Sequence, residues 1–488
     1  MLKRKKNKRE GMDPHIRSLM KIVGEKEILY KPEDLLSYDC DGFTVHKAMP
    51  KAVVFPENTE EVSAIVRYCH MNNLPFLARG AGTGLSGGAI PLNNEVIISM
   101  VKMKKMLHVD LENRQAVVQP GFVNLKLTHS ISDKGYYYAP DPSSQYVCTI
   151  GGNVAENAGG AHCLKYGVTT NHILGLEVVL PDGEVIELGE AGVPDRPGYD
   201  LMGLLTGSEG TLGIVTTITV RILKSPQGKQ TVLAYFDQVE DGSRAVSDII
   251  SAGIVPAALE MMDKTAIEGV EAGTYPVGHP PDIEALLLIE VDGILAGLEE
   301  QVEHILEVCR KRNVREVKVA SSEEERGRWW ANRKTGFGAM GAISPDYLVQ
   351  DGVIPRSRLP EVLQNIYDIS RTSGLRIANI FHAGDGNLHP LILFDSRVPG
   401  ETEKALKAGT ECLKACADVG GSITGEHGVG IEKKEEMRFI FTEEELEAQM
   451  RIREVFNPYD LLNKGKLFPT PSRCMDVKKI VKETVAVK

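Results

Sequence analysis

No stretch of this chain approaches the ~20 consecutive apolar residues that a membrane-spanning helix needs. No apolar core follows the charged N-terminus either, so the sequence reads as neither a membrane span nor a secretory leader. Cysteine is scarce: 8 among 488 residues, with no Cys-x-x-Cys pair. That excludes a disulfide framework and leaves no ligand set for an iron–sulfur cluster of the chain's own. Cys412 and Cys416, one turn apart on an expected helix, read as packing residues. Net positive charge is missing too. Lys and Arg number 56 against 67 Asp and Glu, a net charge of −11. A nucleic-acid partner needs a basic face for its phosphates, so that class is excluded. Internal repeats and low-complexity segments are absent, and a cytoplasmic location is the expectation.

One segment runs against the acidic balance. Lys3, Arg4, Lys5, Lys6, Lys8 and Arg9 crowd the first residues and read as a disordered basic tail. Weak peripheral association with the inner face of a membrane is the alternative use of such a cluster, which anionic lipid attracts.

What is present is an ordinary folded composition, 42% hydrophobic and 25% charged, in a chain long enough for about three domains. Short helices are expected at Asp13–Val23 and Pro32–Tyr38. A regular pattern then begins, with strand-like runs at Lys51–Phe55, Leu74–Ala78, Glu95–Met100 and Gln115–Val118. An amphipathic helix fits Thr59–Asn72 and another Asn124–Lys134, closed by Gly135. Residues 139–160 read as loop. Strands resume at Ile173–Leu180 and, across the Pro181-Asp182-Gly183 turn, at Glu184–Leu188. Gly213–Leu223 closes this block, and Ser225-Pro226-Gln227-Gly228 marks a boundary. The second block is α+β, with strands at Gln230–Phe236, Ala285–Asp292, Ile377–Phe381 and Leu388–Phe394. Its helices are expected at Leu298–Lys311, Arg358–Ser373, Glu401–Ala417 and Thr442–Phe456.

Arg79-Gly80-Ala81-Gly82-Thr83-Gly84-Leu85-Ser86-Gly87-Gly88 contains a literal G-x-G-x-x-G. A nicotinamide site of the Rossmann type would need this loop to open a helix whose N-terminus holds the pyrophosphate. Here Ala89-Ile90-Pro91-Leu92-Asn93-Asn94 leads to another strand, and Gln119-Pro120 occupies the place of the expected acid. The remaining use of so many glycines is an anion nest of backbone N–H groups, suited to a pyrophosphate.

The loop and three later segments resemble the FAD-binding fold of the vanillyl-alcohol oxidase and p-cresol methylhydroxylase family, in order and in spacing. The later segments are Pro140-Asp141-Pro142-Ser143-Ser144, the run Thr149 to Gly160, and the run Leu205 to Gly213. The resemblance implies flavin contacts from Arg79, Gly80, Ala81, Gly82, Thr83, Gly84, Leu85 and Ser86 in the first loop. From the second it implies Pro140, Asp141, Ser143 and Ser144. Gly151, Gly152, Asn153, Asn157, Gly159 and Gly160 follow in the third, and Glu209, Gly210, Gly213 and Ile214 in the last. Some relatives attach FAD through a histidine in the first loop. Thr83 stands here and no histidine does, so FAD is expected to be non-covalent.

Two glycine-bracketed motifs lie in the second block. Phe381-His382-Ala383-Gly384-Asp385-Gly386-Asn387-Leu388-His389-Pro390 reads as a hairpin with both histidines near its neck. Gly425-Glu426-His427-Gly428-Val429-Gly430 can bend tightly and present an acid beside an imidazole. Two imidazoles and a carboxylate form a common set for zinc or a similar divalent ion. A third segment, Trp329-Trp330-Ala331-Asn332-Arg333-Lys334, holds the only two tryptophans, and a guanidinium there suits a carboxylate.

Together with Ser344-Pro345-Asp346 to Pro355, these motifs resemble the FAD-linked group that contains D-lactate dehydrogenase, the flavin-binding part of glycolate oxidase and D-2-hydroxyglutarate dehydrogenase. The likeness spans about residues 30–470. It implies that His382, His389 and Glu426 hold a divalent metal, zinc or manganese, that His427 is the base, and that Arg333 binds the substrate carboxylate. The implied fold is α+β: a two-subdomain FAD-binding domain (46–225) and an α+β substrate or cap domain with the metal site (226–425). A C-terminal helical segment (426–470) returns to the flavin, with 1–45 as lead-in and 471–488 as tail. The implied reaction is FAD-dependent oxidation of a small 2-hydroxy acid, D-lactate or glycolate. Phe337 and Val349, both apolar, suit a short side chain and set a dicarboxylate such as D-2-hydroxyglutarate as the alternative. Electrons would pass to a separate acceptor: an iron–sulfur subunit, an electron-transfer flavoprotein or a quinone system. The rival classes are a non-catalytic flavin electron-transfer subunit and a metallohydrolase. The first has no use for the histidine set, and the second none for the FAD-type half.

Overall fold

A computed structural model describes residues 12–189 and 198–470. The basic tail Met1–Arg9 and the tail 471–488 lie outside the described residues. No helix among the described residues is long and apolar enough to cross a membrane.

The first half is built on two sheets. A four-stranded sheet runs in the order Ile28–Leu29, Ala52–Val54, Val96–Ser99, Phe76–Arg79, with the last three mutually parallel. Helix Thr59–Met71 covers one face. Asn58 caps it by accepting the Glu61 N–H, and Glu60 and Glu61 sit in the first turn where the helix dipole favours acids. Its Val62, Ile65, Val66 and Cys69 pack with Val54, Ile98 and the N-terminal helix Pro14–Val23. Beyond it, a five-stranded antiparallel sheet runs Met106–Asp110, Gln115–Val118, Ile214–Arg221, Ile173–Val179, Val185–Gly189.

The segment expected to be loop between 139 and 160 contains a helix, Ile150–Glu156. Gly151 and Gly152 each disfavour a helix by about 1 kcal/mol, so propensity spoke against it. Capping and burial decide otherwise. Thr149 accepts the Gly152 N–H, Asn157 closes the helix in a left-handed conformation, and Ile150 and Val154 are fully buried.

The second half is a nine-stranded sheet, antiparallel at every pairing among the described residues. Its path runs Val314–Val319, Gly228–Phe236, Ala285–Gly293, Ala258–Asp263, Ile377–His382, Asn387–Leu388, Gly352–Val353, with Asp346–Val349 and Pro390–Phe394 paired beside it. Strand alternation serves both faces. Val232, Ala234 and Phe236 meet helices Val239–Ser251 and Leu298–Lys311 on one side, while Leu233 and Tyr235 meet Trp329, Trp330 and Met340 on the other. Ala258–Asp263 escaped the sequence reading because it is buried throughout and shows no alternation. Cys412 and Cys416 lie on the buried face of helix Glu401–Asp418 and pack into the core.

After Gly430 the chain crosses back. Phe76 N–H donates to the Leu461 carbonyl and Asn463 N–H to the Phe76 carbonyl, at 2.9 and 2.8 Å, so this segment adds to the edge of the first sheet.

Candidate active site

His382 ends strand Ile377–His382 and lies directly opposite Glu260 on the neighbouring antiparallel strand. The Glu260 carboxylate sits 2.8 and 2.9 Å from His382 Nδ1, which leaves Nε2 as the outward-facing nitrogen. His389 follows the short strand Asn387–Leu388, and its ring centre is 5.1 Å from that of His382. Glu426 Oε1 completes the triangle, 3.2 Å from His382 Nε2 and 3.3 Å from His389 Nε2. His427 stacks on His389 with ring centres 4.9 Å apart and planes 11° from parallel.

The Gly425–Gly430 loop is staked down by two carboxylates. Asp351, fully buried, accepts backbone N–H groups from Gly425, Glu426 and His427 at 3.0, 3.2 and 2.9 Å, and the Thr424 hydroxyl. Glu209, from the first half, accepts the N–H groups of Val429 and Gly430, each at 2.7 Å. Gly428 adopts φ +83°, a conformation that side chains other than glycine resist. A backbone bound this tightly fixes where Glu426 and His427 point.

The electrostatics separate the two histidine roles. Burial disfavours a charged His382, but Glu260 and Glu426 outweigh it and hold its pKa well above the usual histidine value. Burial likewise opposes the Glu426 carboxylate, yet His382 and His389 keep it well below the usual carboxylate range. His427 goes the other way: burial, only partly offset by Asp351, pushes its pKa down to about 4. Its ring is neutral at physiological pH and can accept a proton.

The donor set fits a divalent ion. Ligand atoms at 2.0–2.2 Å from one tetrahedral centre lie about 3.3 Å apart, close to the separations of Glu426 from both histidines. Buried His389 has no well-formed hydrogen bond at either ring nitrogen, and His427 none at Nδ1. Buried imidazole nitrogens without a full hydrogen bond beside a carboxylate suit a cation-binding set.

Glu426 and His427 also line a cavity of about 400 Å³ that extends to the first glycine loop. Its walls include Arg79, Gly80, Ala81, Gly82, Thr83, Gly84 and Leu85, then Ser143, Ser144, Gly151, Gly152 and Asn153, then Glu209, Gly210, Gly213 and Ile214. Between Arg79 and the next strand there is no helix, as the chain's glycine loop requires of a nest. Gly80 and Gly151 pack so closely that an added Cβ would meet Thr149 Oγ1 or Pro120 Cβ at 2.5 Å. These backbones leave room for a large group and none for side chains, which fits FAD.

The chain is similar to known flavoproteins over most of its length. Residues 50–189 match the family model "FAD binding domain", and residues 225–467 match "FAD linked oxidases, C-terminal domain". Glycolate oxidase subunit GlcD of Escherichia coli (strain K12) is 47% identical over 94% of this chain and 92% of its own length. The chain belongs to the FAD-linked oxidase family. GlcD of Bacillus subtilis is 38% identical, covering 93% of this chain and 97% of its own. D-lactate dehydrogenase of Anaerostipes hadrus is 33% identical at the same coverage. Among solved structures, substrate-bound p-cresol methylhydroxylase has a TM-score of 0.78 at 18% identity, covering 94% of this chain and 98% of that one. The isoeugenol complex of 4-ethylphenol oxidase from Gulosibacter chungangensis gives 0.76 at 18%, covering 95% and 99%. These last two share the fold, which is the α+β flavoprotein architecture expected from the sequence, and this FAD-linked oxidase is an oxidoreductase.

Several residues tied to the flavin by sequence stand behind the cavity wall. Pro140 gives its carbonyl to Asn124, and Asp141 binds His162. The Ser86 carbonyl accepts Ile431 N–H, Asn157 accepts Thr170 N–H, Gly159 abuts Glu426, and Gly160 abuts Asp141. Arg79 lines the cavity but sends its guanidinium to the carbonyls of Cys40 and Ala89. Arg333 is buried and paired with Glu260, off the cavity wall, and its Nε has no hydrogen-bond partner. Sequence reasoning missed Glu260 and gave no role to Asp351, Glu156 or Lys334, although the last three lie inside motifs it had singled out.

Proposed function

We propose that this FAD-linked oxidase converts a small 2-hydroxy acid, D-lactate or glycolate, to the corresponding 2-oxo acid. The observation that carries the reading is the meeting of the His382–His389–Glu426 triangle and His427 with the glycine-lined cavity. Both named GlcD relatives and the Anaerostipes D-lactate dehydrogenase support the substrate class.

FAD bound non-covalently along the cavity would supply the hydride acceptor, and His382, His389 and Glu426 would hold a zinc or manganese ion that would supply a Lewis acid. The chain's own residues do the rest. Asp351 and Glu209 fix the loop so that His427 can take the hydroxyl proton while the α-carbon gives up its hydride. Arg333, buried against Glu260 and off the cavity wall, would have to turn its guanidinium from that acid to reach the substrate carboxylate. Phe337, whose ring stands edge-on to His389, keeps that end of the cavity dry and favours a short substrate. The two electrons leave to a separate acceptor, an iron–sulfur subunit, an electron-transfer flavoprotein or a quinone system.

Anaerobic mixing of the FAD-loaded protein with a panel of D- and L-2-hydroxy acids tests this. Glycolate or D-lactate should bleach the flavin. A flavin left oxidised by every member of the panel would overturn the proposal.

A further inference from the structure

The cavity that runs from the glycine loop to Glu426 and His427 is short of positive charge. Its walls carry Asp41, Glu156, Glu209 and Glu426, while Arg79 and Lys334 are the lysine and arginine side chains that line it among the described residues. Arg79 is committed at the glycine-loop end, where it donates to two carbonyls. Lys334 stands at the other end. It closes helix Glu323–Lys334, and Phe337, three residues on, lines the same wall with its ring against His389. Lys334, Glu426 and His427 line one cavity, so an anion held there is within the reach of a lysine side chain on its wall.

Lys334 is held loosely enough to be recruited. Its Nζ lies 3.3 Å from Asp141 Oδ2 and 5.5 Å from the centre of the Trp330 ring. Asp141 does not depend on that contact. It accepts the His162 backbone N–H at 3.2 Å and faces His162 Nδ1 at 2.9 Å, with His162 stacked on Trp330. Moving the ammonium group from Asp141 to a bound carboxylate therefore leaves no acid stranded without a partner. Arg333, one position earlier on the helix, points about 100° away and reaches Glu260 instead.

We propose that Lys334 is a specificity-determining residue whose ammonium group exchanges Asp141 for the carboxylate of the incoming 2-hydroxy acid. The inference rests on the substrate class proposed above. It sets a mobile point charge on the cavity wall, distinct from the planar Arg333 fork buried against Glu260.

The test uses the FAD-loaded protein and oxalate, a carboxylate that cannot be oxidised by hydride loss, with binding read from the visible flavin spectrum. Lys334→Met should weaken oxalate binding roughly tenfold or more, and Lys334→Arg should regain part of it. Neutral glycolamide should bind the wild type and Lys334→Met alike. In turnover, Lys334→Met should raise KM by more than it lowers kcat. Should Lys334→Met fail to hold FAD, Lys334→Gln keeps the length and hydrogen bonding and removes only the charge. Oxalate binding within twofold of wild type in either variant would overturn the proposal and leave Lys334 a structural partner of Asp141. Failure of the substrate class looks different: wild-type flavin would resist every 2-hydroxy acid while oxalate binding still depended on Lys334.

Discussion

Glu260 and His382 face each other across adjacent antiparallel strands, and both carboxylate oxygens of Glu260 lie within 2.9 Å of His382 Nδ1. The acid sets the tautomer of the histidine that points Nε2 at Glu426. A carboxylate behind a ligating imidazole raises its basicity and fixes its ring. Glu260→Gln should therefore weaken metal affinity about 10–100-fold, measured by competition with a chelating dye. Affinity equal to wild type would show that Glu260 serves Arg333 alone.

His427 is the group whose loss should hurt chemistry most with least effect elsewhere. Its ring is neutral, stacked on His389, and carries an unpartnered Nδ1. His427→Ala should lower the rate of anaerobic flavin reduction about 10²–10⁴-fold while the bound FAD content stays at one per chain. Retained reduction at the wild-type rate would remove it as the base.

The Glu209 carboxylate ties the loop carrying Glu426 and His427 to the first half, through two 2.7 Å bonds to backbone N–H groups. Glu209→Ala strands both donors in a buried place. The expected loss is roughly 3 kcal/mol in urea unfolding of the FAD-loaded protein, with slower flavin reduction. An unchanged unfolding midpoint would mean that the loop is held by Asp351 alone.

The contact of His162 with Asp141 and Glu290 should make stability depend on pH. Burial disfavours a charged His162, but Asp141 and Glu290 outweigh it and raise its pKa to about 9. A pKa raised on folding adds stability that is full below about 6.5, the unfolded histidine value, and is lost as pH climbs through about 9. The contribution is on the order of 3 kcal/mol at its full value. Unfolding free energy should fall between pH 6.5 and 9 in the wild type and stay flatter in His162→Gln. Parallel profiles for the two proteins would contradict this.

How much of this was legible in the chain depended on whether the signal was local. The glycine loop, the turn between His382 and His389, and the Gly425–Gly430 loop all announce themselves, because turns demand particular residues at particular places. Helix Leu298–Lys311 was legible to the residue from its amphipathic spacing. Glu260 was not, since a buried strand shows no alternation and its meaning comes from a histidine 122 positions away. The helix at Ile150–Glu156 was hidden by its own glycines. Lys334 was read past because it sits beside Arg333, and only the turn of the helix shows that Lys334 lines the cavity while Arg333 turns to Glu260.

The central claim is that one substrate is worked on by the flavin cavity and the His382–His389–Glu426 triangle together. The most direct measurement is the rate of anaerobic flavin bleaching by glycolate and D-lactate, taken on protein stripped of metal by a chelator and then resupplied with zinc or manganese. Bleaching should vanish on stripping, with FAD still bound, and return with one of the two ions. Bleaching at an undiminished rate in protein shown by elemental analysis to hold no metal would contradict the account.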